Sequence, residues 1–569
     1  MQTLKLTIAE QCADKLRTLN PDGAPAAADI AAMLEYPPDP KMGDLALPCF
    51  KLSKTMRRSP VQIAAAIADG FACGGVARAE AVNGYFNLYL DAAWLGDNVL
   101  RRVLSERETY GSSDIGRGKE VVLDYSSPNV AKPFHIGHLG TTVIGHSLKC
   151  LHEFAGYHCT GVNHLGDWGT QFGKMIVAYR KWGDREQIEA GGIDELVALY
   201  VKFHEEAEKD SSLEDEARAE FTKLEHKDPE NLALWQWFLD ISLKEYKITY
   251  GQLGIEFDSY MGESHYFDKA PAIAAELKEK GLLTIDDGAS IVNLDEYNMP
   301  PCLILKRDGS TIYPVRDIAA AFYRKKTYNF DKCIYVTAAG QSLHFAQCFK
   351  VIELMGCDWA KNLIHVPYGT VSINGAKLAT RTGNVVLLKD LFAMAIDKVK
   401  VIMDEKNPDL PNKDEVAEAV GVGAIVFNYL SNNRNRDINF ILEDALSFEG
   451  NTGPYAQYTY ARTCSILEKA GEITRDDYTI TAPEEADLLK TLARFNERVM
   501  AALEEYEPSY IVRYILEVCA AFNRFYHNCP ILTAEDEQIR ATRVRLAEAT
   551  GIVLGNAFGL VCMKKTEKI

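Results

Sequence analysis

The sequence predicts a multidomain α/β protein: a Rossmann-type, doubly wound parallel-sheet domain with a helical insertion, a small α+β domain before it and a helical bundle after it. Three observations predict this. From Glu120 onward buried strands alternate with helices, residues 189–253 are highly charged yet keep helical spacing, and from about Leu387 nearly everything is helical in period. A chain of 569 residues that is 47% apolar can bury a large core, and its length suits three or four domains.

Taken in order, residues 1–112 read as the α+β domain, with a helix at 8–19, a proline-rich turn at 37–40, a helix at 61–71 and the strand Tyr85-Phe-Asn-Leu-Tyr. A linker follows at 111–119, and the central domain is expected over 113–386. It begins with the buried strand VVLDYS, a loop through Pro128 and Pro133, and a helix from about 135 to 156. Further strands are expected at 290–294, 302–306, 332–337 and 363–368, separated by helices such as 318–326 and 343–355. The insertion spans about 189–253, and the linker and bundle take 387–569.

Composition narrows the partners. A net charge of −18 argues against binding nucleic acid over the whole surface, though not against a local basic track. One such track is Lys51-Leu-Ser-Lys54-Thr-Met-Arg57-Arg58, where Lys51, Lys54 and Arg58 share a face if the segment is helical; a solvated helix face is the other reading. The thirteen cysteines form no zinc-spaced cluster, so no structural zinc is expected and reduced cytosolic thiols are the simplest reading. The longest apolar run, 419–427, is far too short for a bilayer and the first residues are too polar for a secretory segment, so a cytoplasmic protein without membrane contact is expected.

The chemistry centres on Lys132-Pro-Phe-His135-Ile-Gly137-His138. After a strand of such a sheet, a helix N-terminus offers unpaired N–H groups and a positive dipole end, which suits a phosphate. His135 and His138, three apart, lie on one side of the first turn, and Gly137 removes a side chain where a base or ribose must approach. Two imidazoles can donate to oxygens that gain charge during displacement at phosphorus, and Lys132 supplies a mobile cation. In isolation the pair could instead satisfy nearby backbone carbonyls.

The segments DYSSPNVAKPFHIGHLGTTVIGHSL and NHLGDWGTQFGKM, with STIYPVRDIAAA, KLATRTGNVV, SFEGNTGPYAQY and FNRFYHNCPIL further on, resemble arginyl-tRNA synthetase, a class I aminoacyl-tRNA synthetase. The resemblance runs through most of the chain. It implies an ATP-dependent arginine-tRNA ligase that forms arginyl-adenylate and transfers it to the 3′-terminal ribose of tRNA(Arg), through the 2′-hydroxyl and with tRNA bound first. Mg²⁺ would arrive with the ATP, and a monomer is expected.

The same resemblance implies the site. Asp124, Tyr313, Asp317 and Gln341 would hold the arginine side chain, because carboxylates pair with a guanidinium in charge-assisted geometry, and Asn129 would contact its main-chain groups. Asp317 could also serve as a helix N-cap. ATP would meet Lys132, His135, Gly137, His138, His344, Lys377 and Thr380. Thr380 stands where other class I enzymes carry a catalytic lysine, and Thr382 where many arginine enzymes carry one; Lys132 would replace that cation. A catalytically weak relative that binds arginine or tRNA is the alternative this loop allows. For tRNA, Tyr85 and Asn87 match a stacking aromatic and a hydrogen-bonding amide for an exposed D-loop base, and Tyr455 and Tyr526, with Phe522 and Phe525, offer aromatics for the anticodon. The chain departs from the family at Gly140, where many relatives have arginine, and after Met563, where many end.

Overall fold

The computed structural model describes residues 1–373, 375–377, 386–475 and 477–569. In the N-terminal domain β1 (Leu45–Pro48), β2 (Val76–Val82) and β3 (Tyr85–Leu90) form an antiparallel sheet in the order β1-β3-β2. The β2–β3 hairpin turns on Asn83-Gly84, whose φ of 50° and 84° are the paired positive values of the tightest hairpin turn. One sheet face buries Phe86, Leu88 and Leu90 among residues of helices Gln2–Leu19 and Pro60–Ala68.

The central sheet contains β4 (Glu120–Asp124) and β5 (His158–Val162). Strand β5 was not foreseen, because HCTGV carries a histidine, a threonine and a glycine among its five residues and gives no apolar run. The strands expected at 290–294 and 302–306 are present but misassigned. With β6 (Leu283–Asp286), β7 (Ala289–Val292) and β8 (Cys302–Leu305) form a separate antiparallel sheet, joined by the Asp287-Gly288 turn. Apolar runs cannot say which sheet they join. Then β9 (Lys332–Ala338) and β10 (Leu363–Tyr368) complete an all-parallel sheet in the order β10-β9-β4-β5. The order in which strands are added reverses at β4, with β5 on one side and β9 then β10 on the other, so the crevice beyond its C-terminal end is the topological switch point where such sheets bind ligands.

The insertion is helical, with Ile193–Lys209, Ser212–Glu225 and Pro229–Leu253. The C-terminal part is mainly helical but not wholly so: β13 (Ile438–Phe440) pairs in parallel with β11 (Val371–Ile373), which also pairs with β12 (Ala376–Lys377). The apolar run 419–427 lies inside the buried helix Lys413–Leu430, and among the described residues no helix is long and apolar enough to cross a membrane. The N-terminal domain docks on the bundle through Lys5 and Tyr36, both bonded to Glu497 (3.0 and 2.8 Å), with Arg494 stacked on the Tyr36 ring.

Candidate active site

The loop after β4 is bent by residues that L side chains enter at a cost. Ser126, Ser127 and Ala131 have φ of 72°, 49° and 59°, each a strain of about 1 kcal/mol or more that the surroundings must offset. They do. Ser126 N–H donates to Thr141 Oγ1 at 3.0 Å, and its hydroxyl lies 2.8 Å from Thr142 Oγ1 and 2.7 Å from Tyr250 Oη. Ala131 N–H donates to Ser242 Oγ at 3.0 Å, and Tyr246 donates to the carbonyls of Asn129 and Lys132 at 2.8 and 2.7 Å. Ser242, Tyr246 and Tyr250 all lie on the insertion helix Pro229–Leu253, so the insertion fixes the shape of the loop.

That loop delivers a short 3-10 turn, Ile136–His138, which runs into the helix Leu139–Phe154. His135 Nδ1 accepts the Gly137 N–H at 3.0 Å, and His138 Nδ1 accepts the His135 N–H at 3.2 Å. The histidines therefore serve backbone donors rather than carbonyls, and an Nδ1 that accepts carries no proton. Each neutral ring then holds its proton on Nε2. The two rings lie 3.9 Å apart, and His138 stacks on Phe134 at 5.1 Å. Burial, then His135 and Lys132, push the His138 imidazole down to about 3; burial and Lys132 also lower His135. Both are neutral Nε2–H donors near pH 7. Lys132 is exposed beside them.

Gly140 shows why an arginine is absent there. A Cβ on it would stand 2.2 Å from Tyr429 Oη, so this chain has filled the space with a tyrosine.

The acidic pocket is richer than the sequence reading. Asp124, at the end of β4, is buried and already paired: its Oδ2 meets Arg324 Nη2 at 2.8 Å and its Oδ1 accepts from Ser127 Oγ at 3.0 Å. Arg324 is fully buried, with Nε and Nη1 lacking partners among the described residues. The helix expected at 318–326 begins at Tyr313 and runs to Tyr328, so Asp317 sits in its second turn and is not its N-cap. Pro314 at the second helical position explains the early start. Asp317 Oδ2 is instead bonded to His344 Nε2 at 2.6 Å, which puts His344, expected at ATP, against a carboxylate expected to hold arginine. Tyr313 is 67% exposed at the helix start, not a core aromatic, and Gln341 is exposed at the N-terminus of helix Ser342–Leu354. Asn129 pairs with Gly166 across a bridge; a Cβ on Gly166 would stand 2.2 Å from Asn129 Oδ1.

Sequence reasoning missed Arg324, Arg316 and Glu263. Glu263 Oε2 lies 3.5 Å from Arg316 Nη1, and burial and then the neighbouring Asp317 push its carboxyl up to about 7. Its only sequence signal was a glutamate in MGES after a helix. Thr380 and Thr382 lie outside the described residues, and only the backbone of Lys377 is placed, paired with Ser372.

On the N-terminal sheet, Tyr85 is half-buried and Asn87 is 5% exposed, its Oδ1 without a partner among the described residues. In the bundle Tyr455 packs on the core and accepts from Asn523 at 2.7 Å, while Phe522, Phe525 and Met563 are core residues and cannot stack on a base as placed. Tyr526 is 39% exposed beside a cavity of about 460 Å³. Arg462 and Tyr458, also missed, complete that surface: the guanidinium lies 4.7 Å from the Tyr526 ring and 5.0 Å from that of Tyr458.

Comparison with known proteins follows this division. Residues 99–442 match the family described as "tRNA synthetases class I (R), catalytic domain", 456–569 the "DALR anticodon binding domain", and 2–90 the "Arginyl tRNA synthetase N terminal domain". The chain is 52% identical over 545 residues to the arginine–tRNA ligase of Clostridium perfringens, covering 95% of this chain and 96% of that one. Against the ligase of Clostridium beijerinckii it is 50% identical over 542 residues, with the same coverage. The arginyl-tRNA synthetase of Thermus thermophilus superposes over 100% of both chains with a TM-score of 0.82 at 25% identity. That of Plasmodium falciparum superposes over 99% of this chain and 98% of its own with a TM-score of 0.80 at 24% identity, a likeness of fold.

Proposed function

The chain belongs to the class I arginyl-tRNA synthetases, and on that premise we propose how its own residues carry out the reaction. It is an ATP-dependent arginine-tRNA ligase, which activates arginine as arginyl-adenylate and passes it to the 3′-terminal ribose of tRNA(Arg). In the first step a carboxylate oxygen of arginine attacks the α-phosphorus of ATP and pyrophosphate leaves; in the second the terminal 2′-hydroxyl attacks the activated carbonyl and AMP leaves.

The observation that carries the residue assignment is the tautomer the backbone imposes on the two histidines. With Nδ1 occupied by main-chain N–H groups, His135 and His138 each donate Nε2–H to phosphate oxygens as charge develops on them, without gaining a proton themselves. Gly137 leaves room for the nucleotide. Lys132, exposed and mobile, supplies the cation that Thr380 does not, and Lys377 adds a contact from the second loop. A magnesium ion would arrive with the ATP, held by its phosphate oxygens and water.

For arginine, Asp317 is the principal guanidinium partner, with His344 orienting it and Glu263 close by. Asp124 offers its remaining lone pairs from a position fixed by Arg324. Tyr313 and Gln341 close over the ligand from the exposed mouth, and Asn129 takes its main-chain end. Tyr85 and Asn87 contact the tRNA elbow; Tyr455, Tyr526, Tyr458 and Arg462 face the anticodon. The chain acts as a cytoplasmic monomer.

Charging of a tRNA(Arg) transcript with labelled arginine tests this. Wild-type protein charges it, and Asp317→Asn raises the KM for arginine by about 10- to 100-fold, the worth of one charged hydrogen bond. A normal KM in that variant would remove Asp317 from the pocket.

A further inference from the structure

The N-terminal sheet has a face that a two-residue contact does not explain. Tyr85, Asn87 and Tyr89 alternate on β3 with the core residues Phe86, Leu88 and Leu90, so they share the outward face. Yet Asn87 is almost inaccessible and its Oδ1 has no partner among the described residues. It forms the floor of a notch. On one side stands Tyr85 with Phe50 edge-on at 5.3 Å; on the other Tyr89, whose hydroxyl donates to Glu80 at 2.6 Å and whose ring carries Arg78 at 3.8 Å.

Phe50 is 52% exposed. Directly after it comes the basic segment. The helix there is only Ser53–Met56, and Arg57 turns the chain with φ of 52°, so the expected continuous basic face is broken into a turn. Lys51 is tied to Glu35 at 3.8 Å, but Lys54, Arg57 and Arg58 are exposed and have no acidic partner among the described residues. The turn returns to the notch: a Cβ on Gly84 would stand 2.9 Å from Pro60 and 3.0 Å from the Phe50 ring. Three cations without an acidic partner among the described residues, close in sequence to the partly exposed Phe50–Tyr85 pair, stand out on a chain with net charge −18.

We propose that Phe50 is a second stacking residue of this notch and that Lys54, Arg57 and Arg58 bind phosphates of the same RNA loop. This rests on the reading that Tyr85 and Asn87 meet the tRNA elbow. An unstacked base lies against Phe50 and Tyr85 with its polar edge toward the Asn87 amide; the backbone on either side follows the basic turn.

The test measures tRNA(Arg) affinity by fluorescence anisotropy over a salt series for the full-length protein and its variants. Phe50→Ala weakens binding by about tenfold, the scale of one lost base–aromatic stack, and Phe50→Tyr restores it. The triple variant Lys54→Gln, Arg57→Gln, Arg58→Gln weakens binding at low salt and flattens the plot of log affinity against log salt by about two units. Arginine KM and the thermal midpoint stay at wild-type values, since these side chains are exposed. Tyr85→Ala separates the two claims. If it weakens binding while Phe50→Ala and the triple variant stay within twofold of wild type, the inference is overturned and the elbow reading stands. If Tyr85→Ala is also without effect, the elbow reading falls with it.

Discussion

Arg324 is a buried cation that sits directly behind the site. It is fully buried, and its charge and that of Asp124 compensate one another at 2.8 Å. Removing one member of such a pair leaves a buried charge alone, so Arg324→Met is expected to lower unfolding free energy by about 3–5 kcal/mol in urea titrations. It should also raise the arginine KM, because Asp124 then loses its fixed position. Neither effect was legible in the sequence. Arg324 reads there as one of three cations in FYRKK, and only the fold reveals that it points inward. The histidine pair was legible as chemistry, but its tautomer was not, because that depends on which backbone groups the rings meet. Asp317 shows a third case: the residue was found, while its cap role was wrong by the one helical turn that Pro314 adds.

At the scale of elements, the insertion does more than fill space. Its long helix holds the strained signature loop through Ser242, Tyr246 and Tyr250, and the segment after β5 holds it through Gly166. Gly166→Ala brings a methyl group to 2.2 Å from Asn129 Oδ1 and must displace that side chain. The expected result is an arginine KM raised about tenfold or more with little change in the KM for ATP, read from pyrophosphate exchange. The parallel sheet was half visible in the sequence. β4, β9 and β10 announce themselves as apolar runs, β5 does not, and β7 and β8 imitate sheet members while pairing with β6. Strand identity is local, whereas sheet membership is decided by contacts distant in sequence.

Across the whole molecule, buried imidazoles set the response to acid. Burial is the leading cause in His146, His152 and His365, each lowered to about 4. Each stays neutral in the fold but would bind a proton below about 6.5 once unfolded, so stability falls as pH drops from about 6.5 toward 4. Glu263 works oppositely: its raised carboxyl contributes stability below about 4.5, which is lost as pH rises through about 7. The histidines outnumber it. Urea midpoints measured between pH 7 and 5 should fall, and His152→Phe should reduce that loss by at most about 1.4 kcal/mol per pH unit, the limiting slope reached below pH 6.5. The division into a small α+β part, a parallel-sheet part and a helical bundle followed from changes in sequence period, but the docking of the first on the last through Tyr36, Arg494 and Glu497 had no sequence signal. What joins these parts is the reaction proposed for KPFHIGH. Arginine-dependent exchange of pyrophosphate into ATP, with tRNA(Arg) present, measures that reaction directly for wild type and Lys132→Ala. The account predicts exchange by the wild type and a rate about a hundredfold lower in the variant, with the arginine KM unmoved; no exchange by the wild type, or an undiminished rate in the variant, would contradict it.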